Sequence, residues 1–180
     1  MLLAINANNT NTVFAVWDGA ELRGTWRLAS DTRRTADQYV VWLDHLLALD
    51  GLARTQITGA IIASVVPEAN FNLRRLCRVY CNSDPLVVGE PGVVLGTRAL
   101  VDRPDEVGAD RLVNTVAAHA RHKGPLIIVD FGTATTFDVV DGDGNYCGGV
   151  IAPGINLSLQ ALAMTAAKLP SVPIARTEHV

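Results

Sequence analysis

Val129-Asp130-Phe131-Gly132-Thr133-Ala134-Thr135-Thr136-Phe137 reads as the end of a buried strand, a loop of small and hydroxyl residues, and the start of a second strand. Shifted back by 124 positions, it falls on Ile5-Asn6-Ala7-Asn8-Asn9-Thr10-Asn11-Thr12-Val13. Each copy runs on into a hairpin turn, Asp18-Gly19 in the first and Asp141-Gly142 in the second, with a slip of one residue between them. Asp-Gly between apolar runs is a strong hairpin signal. Two loops of one composition at equivalent places point to a duplicated domain.

Between the copies the chain alternates strands and helices. Leu2–Ile5, Val13–Trp17 and Leu22–Leu28 read as a three-strand meander. Thr35-Ala36-Asp37-Gln38 is a capping box, followed by Val40, Leu43, Leu46 and Leu47 at helical spacing. Gly59–Val66 predicts a buried strand stopped by Pro67, Phe71–Cys81 a helix, and Pro85–Val88 a strand. Leu112, Val113, Val116, Ala117 and Ala120 mark a third helix. The order predicts an α/β fold with a mixed sheet and helices on its faces. Lys123-Gly124-Pro125 sets the expected boundary, with a first domain over 1–122 and a second over 123–180. The second copy completes its meander and one helix (Asn156–Lys168). Judged against the first copy it lacks two strands and two helices, so the second domain is expected to be incomplete.

Composition excludes several classes. Apolar residues make up 49% of the 180 and charged residues 18%, which fits a folded chain with a core and rules out disorder. A net charge of -3 without any Lys/Arg run argues against a nucleic-acid or anionic-membrane partner. No apolar run approaches the roughly 18 residues of a bilayer span, and Met1–Ile5 lacks a basic flank, so no membrane span or secretory signal is expected. Three cysteines with no Cys-x-x-Cys suit a reduced cytoplasmic protein.

Loops of Gly, Thr and Asn suit phosphate: glycine admits the backbone, successive N–H groups form an anion nest, and hydroxyls donate further. A carboxylate at the preceding strand's end can hold a cation that screens phosphate charge. Asp130–Thr136 has all of these; Asn6–Thr12 lacks the carboxylate and the glycine. Either loop alone equally suits a plain hairpin turn, and it is the matched pair that favours a shared cleft. In the first turn of the third helix, Asp110 could act as a general base, with Arg111 gripping an anionic group; an acid placed at a positive helix end accounts for the same spacing. Cys77 and Cys81 lie four apart on one helix face, as core thiols do, and the four histidines show no metal spacing.

The loop from Asn6 to Val13, Ser64-Val65-Val66-Pro67, Gly108-Ala109-Asp110-Arg111-Leu112-Val113-Asn114, Val129–Thr136 and Gly148-Gly149-Val150-Ile151-Ala152-Pro153-Gly154 together resemble the type III pantothenate kinases, also called the Bvg accessory factor family. The resemblance spans essentially the whole chain. It implies duplicated ribonuclease-H-like domains of the actin-like ATPase type, with ATP-dependent phosphorylation of pantothenate as the first step of coenzyme A synthesis. It also implies a homodimer, ATP with Mg2+ as substrate, and a monovalent cation (K+ or NH4+). Carried over by position, Asp110 matches the proton acceptor, and Gly108, Ala109, Asp110 and Arg111 the substrate-binding stretch. Asp130 matches the cation ligand, Thr133 an ATP contact, and Asn6, Ala7, Asn8, Asn9, Thr10, Asn11, Thr12 and Val13 the first phosphate-binding motif.

The chain departs from the family where Asp-x-Gly-Asn-Thr is replaced by Asn6-Ala7-Asn8-Asn9-Thr10. The internal repeat marks the same two positions, since Asn6 lies over Asp130 and Asn8 over Gly132. An amide oxygen can ligate a cation but brings no charge, and Asn adds a side chain where backbone should approach phosphate. A substrate-contacting tyrosine of many members, near Val101, is absent. These departures lead to an expectation of weakened catalysis, or of a noncatalytic regulatory or scaffold homologue that keeps the fold.

Overall fold

The computed structural model describes residues 1–165 and 174–175. Alternation drives the first sheet. β1 (Leu2–Ala7) turns Leu3, Ile5 and Ala7 to one face, where each is buried. It pairs antiparallel with β2 (Asn11–Asp18), which pairs with β3 (Glu21–Ala29), and on its other side runs parallel to β4 (Gly59–Ser64). With the short β5 (Leu86–Val87) the order is β3-β2-β1-β4-β5. The turn into β3 puts Gly19 at φ 58, a left-handed conformation natural to glycine.

α1 (Ala36–Leu49) opens at the expected capping box: Gln38 N–H donates to Thr35 Oγ1, and Thr35 N–H donates to Gln38 Oε1 at 2.9 Å. Tyr39, Val40, Leu43 and Leu47 form its buried stripe against Leu3, Ile5, Phe14 and Val16. Tyr39 and Trp42 hold their rings 5.8 and 5.1 Å from that of Phe14. The next helix differs from the sequence reading. Pro67 ends the strand but also opens α2 (Pro67–Arg75), four residues before the expected start. Its missing N–H lies where a helix needs no donor, and its fixed φ suits the first turn. The helix continues as a π-helical turn through Leu76–Tyr80, so its end agrees with the expectation.

α3 (Ala109–Arg121) packs against β4 and against a second sheet, β6 (Leu126–Phe131), β7 (Ala134–Val140) and β8 (Tyr146–Pro153) in antiparallel order. Its expected apolar stripe is corrected. Ala109 and Thr115 are its buried residues, whereas Val116, Ala117 and Ala120 are exposed, because the helix enters the seam between the sheets by its first half. α4 (Ile155–Thr165) follows β8; the expected end at Lys168 lies outside the described residues.

The duplication is visible in register. Ile5 pairs with Phe14, and Val129 with Phe137. The 124-residue shift therefore relates β1 to β6, while 123 relates β2 to β7. The slip arises in the loop, which is one residue longer in the first copy (Asn8–Thr10 against Gly132–Thr133), so Thr10 is the true counterpart of Thr133. The copies differ in cover. Leu3 and Ile5 are at 0% and 2% exposure under α1, but their counterparts Ile127 and Val129 are at 70% and 42%. No helix among the described residues is long and apolar enough to cross a membrane.

Candidate functional site

The two repeated loops meet. Thr10 Oγ1 and Thr133 Oγ1 lie 2.6 Å apart, a hydrogen bond across 123 residues of chain. Each loop is closed by its own backbone: Asn8 N–H donates to Asn11 O at 3.0 Å, and Gly132 N–H to Ala134 O at 2.9 Å. Ser30, which the sequence reading passed over, braces the first loop by donating its hydroxyl to Asn8 O at 2.5 Å and its N–H to Thr10 O at 3.0 Å. Gly154, at the start of α4, underlies the second loop; a Cβ there would stand 2.4 Å from the carbonyl oxygens of both Gly132 and Thr133.

Within Asn6–Val13 the residues divide by position. Ala7 is a core residue at 0% exposure, and Thr12 is buried with its hydroxyl 3.0 Å from that of Ser30. Asn11 belongs to β2, paired with Ala29. Asn9 and Thr10 are open to a ligand. The side-chain oxygens of Asn6 and Asn8 are buried without a hydrogen-bond partner. Asn6 and Val13 also border an apolar cavity of about 190 Å³, walled by Ala4, Ala15, Ile61 and Val113.

Asp110 lies in the first turn of α3, where its Oδ1 accepts from Arg111 N–H at 2.8 Å. Gly108 is the N-cap, and a Cβ on it would meet that same Oδ1 at 2.6 Å, so a side chain there would have to displace the Asp110 carboxylate. Ala109 is buried against Ala63 and Val88, which fixes the helix start on the first sheet. Arg111 reaches the other way, donating from Nη1 to Asp138 Oδ1 at 2.8 Å and to the Tyr146 hydroxyl at 2.9 Å. Asp130 pairs with Thr136, and Asp138 with Ile128, in the antiparallel register. Alternation therefore puts Asp130, Thr136 and Asp138 on one face of the second sheet, the face that Arg111 approaches.

A family model described as type III pantothenate kinase matches residues 2–180. The chain belongs to the type III pantothenate kinase family. It is 65% identical over 180 residues to a type III pantothenate kinase of Paramagnetospirillum magneticum, covering all of this chain and 69% of that one. It is 63% identical to one of Rhodospirillum rubrum, of which it covers 70%. Among solved structures, a protein of Sinorhizobium meliloti described as a 2-dehydro-3-deoxygalactonokinase shares the fold with TM-score 0.55 at 15% identity, over 93% of this chain and 58% of that one. The α/β architecture with one mixed and one antiparallel sheet is thus a fold that the chain shares with that protein.

For a type III pantothenate kinase, the donor set bears on the cation. Among the described residues no group of three His, Cys, Asp or Glu could hold a metal ion. Asp130 is a single exposed carboxylate at the end of β6. One carboxylate is too few to cage a divalent ion by protein ligands alone. Asp138 and Tyr146 escaped the sequence reading. The available signal was an acid inside the apolar strand Thr136-Phe137-Asp138-Val139-Val140, at an inward position of the alternation. Asp138 is at 1% exposure, and burial pushes its carboxyl above the usual carboxylate range, partly offset by the Arg111 guanidinium.

Proposed function

We propose that this chain phosphorylates pantothenate with ATP, giving 4'-phosphopantothenate and ADP. The observation that carries the reading is the Thr10–Thr133 contact, which makes the two loops one surface. Family membership supports pantothenate as acceptor. Backbone N–H groups and hydroxyls of residues 8–10 and 132–133 would cradle the phosphates of the magnesium nucleotide, the helical start at Gly108-Ala109 would seat pantothenate, and Arg111 would pair with its carboxylate. Asp110 would take the proton of the pantothenate alcohol as that oxygen forms its bond to the γ-phosphorus and the bond to the departing ADP breaks. Such transfer is mostly positioning and charge stabilisation. Asp130 would hold a monovalent cation, K+ or NH4+, supplying positive charge beside the phosphates. The proposal includes the division into lobes 1–122 and 123–180, a homodimer, and a cytoplasmic site of action beside ATP.

Asn6 and Asn8 set the expected rate. Losing a charged group aimed at transferring phosphate costs on the order of 10²–10³ in rate. The test is a coupled ATP-consumption assay with pantothenate and potassium on this chain, on Asn6→Asp/Asn8→Gly, and on Asp110→Asn. Turnover should rise about 10²-fold in the double variant and vanish in Asp110→Asn. Equal, robust turnover of the parent and the double variant refutes the impairment, and activity surviving in Asp110→Asn refutes the base.

The same two asparagines, with buried and unpartnered oxygens, favour a second reading: a noncatalytic homologue that keeps the fold and the pantothenate pocket. Calorimetry separates the two, because pantothenate binding without ATP binding supports only the second.

A further inference from the structure

Arg111 is held from the second sheet by two residues outside the substrate-binding stretch. Its Nη1 serves both Asp138 Oδ1 at 2.8 Å and the Tyr146 hydroxyl at 2.9 Å, while its Nη2 and Asp138 Oδ2 are buried with no partner. A fork-to-fork pair would satisfy both of those atoms. Here the carboxylate grips one amino group and leaves the other without a partner.

The surroundings fix this arrangement. The Arg111 side chain is at 15% exposure and that of Asp138 at 1%. A Cβ on Gly149 would come within 2.6 Å of Asp138 Oδ1 and 3.1 Å of Arg111 Nη1, so β8 presents a bare backbone where the pair passes. Tyr146 is itself tied down, its backbone exchanging hydrogen bonds with Arg98 O at 2.8 Å and Leu100 N at 2.7 Å. Within α3, Thr115 donates its hydroxyl to the backbone carbonyl of Arg111 at 2.9 Å. A guanidinium anchored through Nη1, with an unsatisfied buried Nη2, is preorganised to donate to an anion, since orientation is settled before the ligand arrives.

We propose that Asp138 and Tyr146 are positioning residues: they orient Arg111 so that its Nη2 receives the carboxylate of the acid substrate. This rests on the pantothenate reading above. The rival explanation is a plain ion pair stitching α3 to the second sheet.

Calorimetry on the 180-residue chain separates these with two ligands, pantothenate and pantothenol, which carries an alcohol in place of the carboxylate. Asp138→Ala should weaken pantothenate about tenfold and Tyr146→Phe about threefold, with pantothenol unchanged within about twofold in both. Asp138→Asn keeps an acceptor for Nη1 and should hold pantothenate affinity within about threefold of the parent. Equal weakening of both ligands, or none of pantothenate, overturns the proposal. If Asp138→Ala does not fold, Tyr146→Phe reads the same contrast. A parent chain that binds no pantothenate refutes the substrate reading itself, which is a different result.

Discussion

Replacing Gly154 by alanine should disturb the second loop from beneath. The added Cβ would lie 2.4 Å from Gly132 O, 2.4 Å from Thr133 O and 2.8 Å from Thr133 C. All three are backbone atoms, so no side chain can rotate out of the way. The loop or the start of α4 must move by about 0.6–1.0 Å, and overpacking of this kind costs about 1–3 kcal/mol. Gly154 N–H also donates to Thr133 O at 3.1 Å, so the movement strains that bond as well. For a chain of this size, the melting temperature should fall by about 3–10 °C. Displacing Thr133 breaks its contact with Thr10, so affinity for a nonhydrolysable ATP analogue should drop about tenfold. Gly142→Ala is the control, its nearest neighbour being Pro125 Cδ at 4.0 Å. Thermal melts and calorimetry on both variants check the reasoning. A Gly154→Ala protein that melts within 1 °C of the parent and binds the analogue equally well refutes it.

Asn6→Asp should add the charge that the proposed site lacks yet destabilise the ligand-free chain, because the Asn6 oxygen is buried without a donor. The expected loss is about 1–3 kcal/mol at neutral pH by urea unfolding, shrinking toward pH 4 as the carboxyl is protonated; no loss at neutral pH contradicts it. Burial pushes the Cys77 thiol up to about 12 and Cys81 up to about 11, while Cys147 is exposed. A thiol reagent at pH 8 should therefore titrate one cysteine quickly and the other two only as the chain unfolds; three fast thiols refute this. The same shifts set an alkaline limit. The unfolded chain loses these protons near 9 and the folded chain near 11–12, so their contribution is whole below pH 9 and is lost as pH rises toward 12. Cys77→Ala should accordingly lose less stability than the parent between pH 9 and 11.

Local rules carried much of the fold. The capping box at Thr35, the apolar runs of β1 and β2, and the paired hairpins are short-range patterns, and each stands in the structure. What composition alone could not supply was long-range. Pro67 reads as a strand stop, and only the geometry of a helix's first turn shows why it is equally a start. The stripe of α3 was apolar in sequence, but the burial of Val116 and Ala120 depends on what lies over them, which helical spacing does not encode. At the site, the repeat located both loops but mismatched them by one residue, because sequence shift ignores loop length; strand register identifies Thr10 with Thr133. Asp138 and Tyr146 join Arg111 from 27 and 35 residues away, and no local motif announces such a partnership.

The central claim is that the duplicated loops act as one nucleotide site. Its most direct test is amide NMR of the chain titrated with a nonhydrolysable ATP analogue and magnesium. The account predicts that the amides of residues 8–11 and of residues 132–134 shift together, with one dissociation constant. Shifts confined to one loop, or centred away from both, contradict it.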